Sequence, residues 1–211
     1  MKQRRIHPAW IAAGITWFTL VASAGYRSAP SVLIVPLEDA FGWSRSQISL
    51  SISINILLYG LTAPFAAALM ERFTVRKVVM SALAAVSLSA FLTIFMNKPW
   101  HLILLWGVVV GIGTGSMALV FAATVASRWF MQRRGLVVGA LTAAAATGQL
   151  VFLPLLSKLA MDHGWKSVSI TIAASAAIVI PLIWWGLNEQ PQDIGHKPYG
   201  APADWVAPEK I

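Results

Sequence analysis

The chain has 211 residues, 57% of them hydrophobic and 11% charged, with a mean hydropathy of +0.70. Soluble domains carry about 45 to 50% apolar and 25% charged residues, so this composition excludes an ordinary water-soluble fold and indicates an integral membrane protein. The formal net charge of +8 sits in short loops between apolar runs, the distribution of a topology signal and not of a nucleic-acid surface, and the absence of cysteine excludes disulfide frameworks, thiolate metal sites and thiol nucleophiles.

A spanning helix needs about 20 mostly apolar residues. After a basic N-terminus at 1–8, six runs meet that need, at about 9–36, 46–70, 78–96, 100–126, 135–160 and 165–187, and a polar tail follows at 188–211. The first run has some features of a cleaved signal peptide, a basic head and the small residues Ala22-Ser23-Ala24, but its apolar stretch continues to Leu37. That is about twice the length of a signal core, so the reading is a retained first helix.

The same run contains the only charge between Pro8 and Leu37, Arg27. An uncompensated arginine near a bilayer centre costs about 2.5 to 3.5 kcal/mol on insertion scales, so Arg27 must be held by something or must hold something. A planar, permanently charged guanidinium binds a carboxylate bidentately, which makes Arg27 the candidate anion ligand. Thr16, Ser23, Arg27 and Ser31 share one helical face. The second run carries a comparable stripe of Ser51, Asn55, Tyr59 and Thr62, and the fifth places Thr142 and Gln149 on one face. Asn55, Tyr59 and Gln149 therefore join Arg27 as expected substrate-binding residues, with the first, second and fifth helices facing inward. The sixth run, SITIAASAAIVIPLIWW, is apolar all round and reads as lipid-facing.

The fourth run contains GVVVGIGTGSM. A phosphate cradle needs a strand and a soluble helix, so Gly107, Gly111 and Gly115 read instead as a seam of close helix packing. Gly135, Gly139, Ala143 and Thr147 repeat the spacing on the fifth run.

Charge sets the expected orientation. Of the 16 Lys and Arg residues, eleven fall on one side of the membrane: Lys2, Arg4, Arg5, Arg72, Arg76, Lys77, Arg128, Arg133, Arg134, Lys197 and Lys210. Four fall on the other, Arg45, Lys98, Lys158 and Lys166, so both termini are expected in the cytoplasm. His7, His101, His163 and His196 lie apart at boundaries or in tails, and all eight acids lie in loops or tails. No metal site, cofactor site or catalytic group is expected, and an enzyme is excluded.

AALMERFTVRKVVM, residues 67–80, resembles the signature loop of the major facilitator superfamily: Leu69, Glu71, Arg72, Arg76 and Lys77 match without gaps, while Ala67 and Thr74 stand where that family prefers glycine. SRWFMQRRGLVVGALTAAAATGQLVFLPL, with Arg133 and Arg134, is similar to the stretch after helix four in its monocarboxylate-porter-like and oxalate/formate-like branch. GYRSAPSVLIVPLEDAFGWSRSQIS resembles the first helix and loop of that branch, and QPQDIGHKPYG its central cytoplasmic loop; Trp106 lies near the place of a common fourth-helix arginine.

The resemblance implies an all-α membrane protein whose six transmembrane helices form one half, a 3+3 inverted repeat, of a twelve-helix fold. It implies the N-terminal half of a secondary transporter in the inner membrane, moving small organic anions such as monocarboxylates by alternating access, with a second six-helix half as partner. The alternative is a non-transporting half that assembles with or regulates a full transporter.

Overall fold

The computed structural model describes residues 7–202 and 204–206; the basic residues at 1–6 and the end of the tail at 207–211 lie outside it. Six helices are long and apolar enough to cross a membrane: Pro8–Val32, Arg45–Arg72, Val75–Phe95, Pro99–Trp129, Arg134–His163 and Trp165–Gly186. They are the first to sixth spans below. Among the described residues β structure is confined to one isolated bridge, Phe130 to Tyr199.

Local chemistry fixes the ends. The first span starts where the Nδ1 of His7 accepts the Ala9 N–H at 3.2 Å, with Pro8 in the first turn where its missing donor costs nothing. It is interrupted at Leu33, beyond Pro30, and a short helix, Ile34–Phe41, continues it to a left-handed Gly42. The second span opens with a capping box between Ser44 and Gln47.

The fourth span is where the expectation of a simple helix fails. A short α-turn gives way to a π-helix at Ile103–Val110, then to α-helix at Gly111–Ser116; the chain breaks at Met117 and Ala118 before Leu119–Trp129 resumes. A π register leaves carbonyls without their usual partners, and side chains from two neighbouring spans supply donors. Ser89 Oγ bonds the Leu105 carbonyl at 2.8 Å, and Asn55 Nδ2 bonds that of Trp106 at 2.7 Å.

The first span packs chiefly on the fifth, the second on the fourth, and the third on the sixth. Exchanging first with fourth, second with fifth and third with sixth turns the first-fifth pair into the fourth-second pair and leaves third-sixth unchanged. That is the packing symmetry of a 3+3 repeat. The first span is central, with 67% of its apolar window buried, whereas the second and fifth have 17% and 22%.

The glycine seam of the fourth span runs along the second. A Cβ at Gly107, Gly111 or Gly115 would meet the carbonyl oxygens of Ser51, Asn55 and Tyr59 at 3.2, 3.0 and 2.8 Å. The seam expected on the fifth span is different: Gly135 and Gly139 have nothing within 4 Å, and the close approach falls at Gly148, against the Val21 backbone. The sixth span is also not lipid-facing all round. It buries Val168, Ile172, Ala176 and Ile183, takes a hydrogen bond from Ser87 to the Ala173 carbonyl at 2.8 Å, and leaves only the face with Ile170, Ile178 and Trp185 exposed.

Candidate functional site

Arg27 is partly buried, and its guanidinium lies over the Tyr59 ring, 4.6 Å from the centroid. Among the described residues no carboxylate pairs with it: the two salt bridges are Arg45 with Glu38 and Arg128 with Glu189. A cation against a ring face gains about 0.5 to 2 kcal/mol, which offsets part of the burial cost and leaves the guanidinium donors without an acceptor among the described residues.

Two cavities meet at this side chain. One, of about 170 Å³, is walled by Ser23, Arg27, Tyr59, Met117, Leu141 and Thr142. The other, of about 430 Å³, is walled by Arg27, Ser31, Asn55, Tyr59, Gln149 and Leu153. A third, of about 980 Å³, shares Ser31 and Leu153 with the second and reaches Asp39. The break in the fourth span forms part of the first cavity, through Met117, Ala118 and Leu119. No side chain caps Ala118, so the segment Leu119–Trp129 starts beside Arg27 with its positive end uncapped.

The structure thus brings Arg27, Tyr59 and Gln149 to one place. Asn55 lines the same cavity, but its amide nitrogen is committed to the Trp106 carbonyl and the residue is 2% exposed, which makes it a tie between the second and fourth spans. Trp106, near the expected arginine position, is buried with its indole N–H unpartnered.

The basic loops form a second centre. Glu71, the acid of the signature loop, is exposed and its carboxylate has no hydrogen bond or ion pair among the described residues. The acid that organises this end is Glu189. Its carboxylate accepts the N–H groups of Val75 and Arg76 at 2.9 and 2.8 Å, capping the third span, and the Arg128 guanidinium at 2.9 Å, joining the end of the fourth. Arg76 lies over the Trp184 ring at 5.2 Å and Arg72 over Phe73 at 5.5 Å, while the Lys77 side chain is exposed. Thr74 adopts φ 124°, a conformation natural to glycine, which explains the family's preference there. Arg133 takes φ 61° at the start of the fifth span, and Arg134 donates to the Phe130 and Ser127 carbonyls at 2.8 and 3.0 Å, closing the end of the fourth.

The sequence marks 188–211 as a polar tail resembling an interdomain loop and does not itself signal that it packs on the spans. It docks instead: Tyr199 N–H donates to the Trp129 carbonyl at 2.8 Å and its own carbonyl accepts from Met131 at 2.9 Å, while the Tyr199 ring packs on His7, Trp10 and Phe130. The aromatic-rich ends of the first and fourth spans were the available signal.

Comparison with known proteins agrees with this geometry. Residues 16–208 match the family model of the Major Facilitator Superfamily. An uncharacterized MFS-type transporter, YcxA of Bacillus subtilis (strain 168), is 31% identical over 86% of this chain and 45% of its own length. Human monocarboxylate transporter 7 is 30% identical over 74% of this chain and 30% of its own, and rat monocarboxylate transporter 13 is 28% identical over 82% and 42%. The chain spans less than half the length of each of these relatives. With six apolar spans in 3+3 packing and this match, the chain is a multi-pass membrane protein that belongs to the Major Facilitator Superfamily, a family of transporters and not of enzymes.

Proposed function

We propose that the chain forms one six-helix half of a secondary transporter for small organic anions, monocarboxylates among them, in which Arg27 binds the carboxylate. One observation carries the reading: a guanidinium within a membrane span, without an anionic partner among the described residues, at the junction of two cavities. At about 1.5 Å per residue, Arg27 lies roughly 27 Å along the first span from Ala9, beyond the midplane. Gln149 and Tyr59 supply further polar groups to the same space, and the apolar walls suit the carbon body of a monocarboxylate. The names of the relatives point to the same substrate class.

The same reading gives alternating access to a cavity completed by a second six-helix unit. The exposed apolar faces of the second and fifth spans, with Ile56, Leu61, Phe65, Leu150 and Leu155, are where such a unit would pack. Arg72, Arg76, Lys77, Arg128, Arg133, Arg134 and Lys197 lie at one end and Arg45, Lys98, Lys158 and Lys166 at the other, which orients the basic end and the tail toward the cytoplasm in the inner membrane.

The test is a carboxylate uptake screen on the assembled protein, wild type against Arg27→Lys. Losing one charge-assisted hydrogen bond, about 1.5 to 3 kcal/mol, raises KM roughly tenfold to a hundredfold at unchanged expression. An unchanged KM would remove Arg27 from the site, and a wild type that moves no organic anion would leave the chain as a non-transporting half.

A further inference from the structure

A groove of about 600 Å³ runs between the second, third and fourth spans toward the basic end, and shares no lining residue with the cavities around Arg27. The third span supplies one wall with Lys77, Ser81 and Ala85, a row at i, i+4 and i+8 along a single helical face. The side chains shrink from the mouth inward, and over about 12 Å they leave a slot beside Leu69 of the second span, Phe73 just past its end and Ile112 of the fourth. Those three apolar side chains are 40%, 49% and 43% exposed.

The slot offers mainly hydrocarbon contact and no free side-chain donor below Lys77. Its two hydroxyls are already used: Ser81 Oγ donates to the Val78 carbonyl at 2.9 Å and Ser116 Oγ to that of Ile112 at 2.9 Å. An occupant with free polar groups would leave them unsatisfied at this depth.

The mouth has the opposite character. Lys77 uses only its backbone N–H, bonded to Thr74 Oγ1, and its ammonium enters neither of the salt bridges among the described residues. Arg72 does not line the groove itself, but its guanidinium lies over the ring of Phe73, which does, 5.5 Å from the centroid. Two acids are near. Glu189 is engaged by Val75, Arg76 and Arg128, and Glu71 is exposed and does not line the groove. One cation that lines the groove, Lys77, and one against its Phe73 wall, Arg72, neither in a salt bridge among the described residues, therefore sit where an apolar slot opens, an arrangement complementary to a lipid with an anionic head and a hydrocarbon tail.

We propose that this groove seats an acyl chain of an anionic phospholipid whose phosphate is held by Lys77 together with Arg72. The inference is independent of what the Arg27 cavities carry.

The probes are phosphatidylglycerol and phosphatidylcholine of identical chains, added to the assembled protein in mild detergent, with retained lipid counted by native mass spectrometry. Wild type retains phosphatidylglycerol several-fold better than phosphatidylcholine. Lys77→Gln abolishes that preference and Lys77→Arg restores it. Ile112→Trp, at an exposed position outside the core, fills the slot and lowers retention with both cations intact; Ala85→Phe does the same from the other wall. Equal retention of the two lipids by wild type overturns the proposal, as does retention unchanged by Lys77→Gln. If Lys77→Gln lowers retention while neither filling variant does, the headgroup binds an open surface and the seated chain is wrong. Release of a co-purifying membrane subunit by Ile112→Trp, with lipid retention unaltered, would make the occupant a partner helix.

Discussion

Glu189 is the joint that holds the basic end together, and removing it gives the largest structural effect expected of a single side chain there. Its two carboxylate oxygens accept three donors at 2.8 to 2.9 Å: two backbone N–H groups at the start of the third span and the guanidinium of Arg128. The Glu189 and Arg128 side chains are 19% and 27% exposed, so the pair is largely but not fully withdrawn from water. Hydrogen bonds to a charged group contribute about 1.5 to 3 kcal/mol each and do not add. Water can reach the freed N–H groups, so the net cost of Glu189→Ala is about 2 to 4 kcal/mol, a little below that of breaking a fully buried pair. For a chain of this size that lowers the thermal midpoint by roughly 5 to 15 °C, followed in detergent through the intrinsic fluorescence of the tryptophans. Glu189→Gln keeps an acceptor and loses the charge, so it falls between. Because the partners are shared, Glu189→Ala and Arg128→Ala must be non-additive by about 1 kcal/mol or more in a double-mutant cycle. A midpoint change below about 1 °C, or strict additivity, would refute the assignment of Glu189 as the joint.

Thr74→Gly is expected to raise the thermal midpoint. It relieves a strained φ of 124°, about 1 to 3 kcal/mol, and loses a cap bond to Lys77 N–H of 3.3 Å that glycine replaces at a cost of a few tenths. Gly115→Ala and Gly139→Ala should part company, since a Cβ at 115 meets the Tyr59 carbonyl at 2.8 Å and one at 139 meets nothing within 4 Å. The first should destabilise by about 1 to 3 kcal/mol and the second be neutral or stabilising, read as thermal midpoints. Below pH 6.5 the docking of the tail should weaken. Burial, then the neighbouring His196, holds His7 below its ordinary value of 6.5, against a raising effect of the hydrogen bond to the Lys197 backbone; Tyr199 is the other titratable group facing it. A depressed folded value means the stabilisation is complete above 6.5 and is lost as pH falls from there toward the folded value. Wild type should therefore lose more midpoint than His7→Asn between pH 7.5 and 5.5, and equal losses would remove His7 from the latch.

What was legible in the sequence follows from what hydropathy and charge can encode. Six spans show as six apolar runs because each must match the bilayer, and Arg27 stands out because nothing else in its run is charged. Asn55 was legible as a polar residue turned inward, but whether its amide meets a ligand or the Trp106 carbonyl depends on a π register that an all-apolar ILLWGVVV cannot signal by periodicity. The same glycine spacing occurs at Gly107 and Gly111 and at Gly135 and Gly139, yet only the first pair lies against another helix, because small residues permit a close approach without requiring one. Glu189 was invisible as the partner of Val75 and Arg128, which are remote along the chain; the nearby Glu71 was the natural choice from the motif, and it stays solvated.

Substrate protection at the cavity beside Arg27 tests the central claim most directly. The chain has no cysteine, so Thr142→Cys, which lines that cavity, is the single labelling site within it, and the assembly carrying native Thr142 gives the background to subtract. In the assembled protein, a saturating monocarboxylate should slow its alkylation several-fold when Arg27 is present and leave the rate unchanged in Arg27→Gln. Equal protection in both, or no protection by any carboxylate in the presence of Arg27, would contradict an anion site built on that guanidinium.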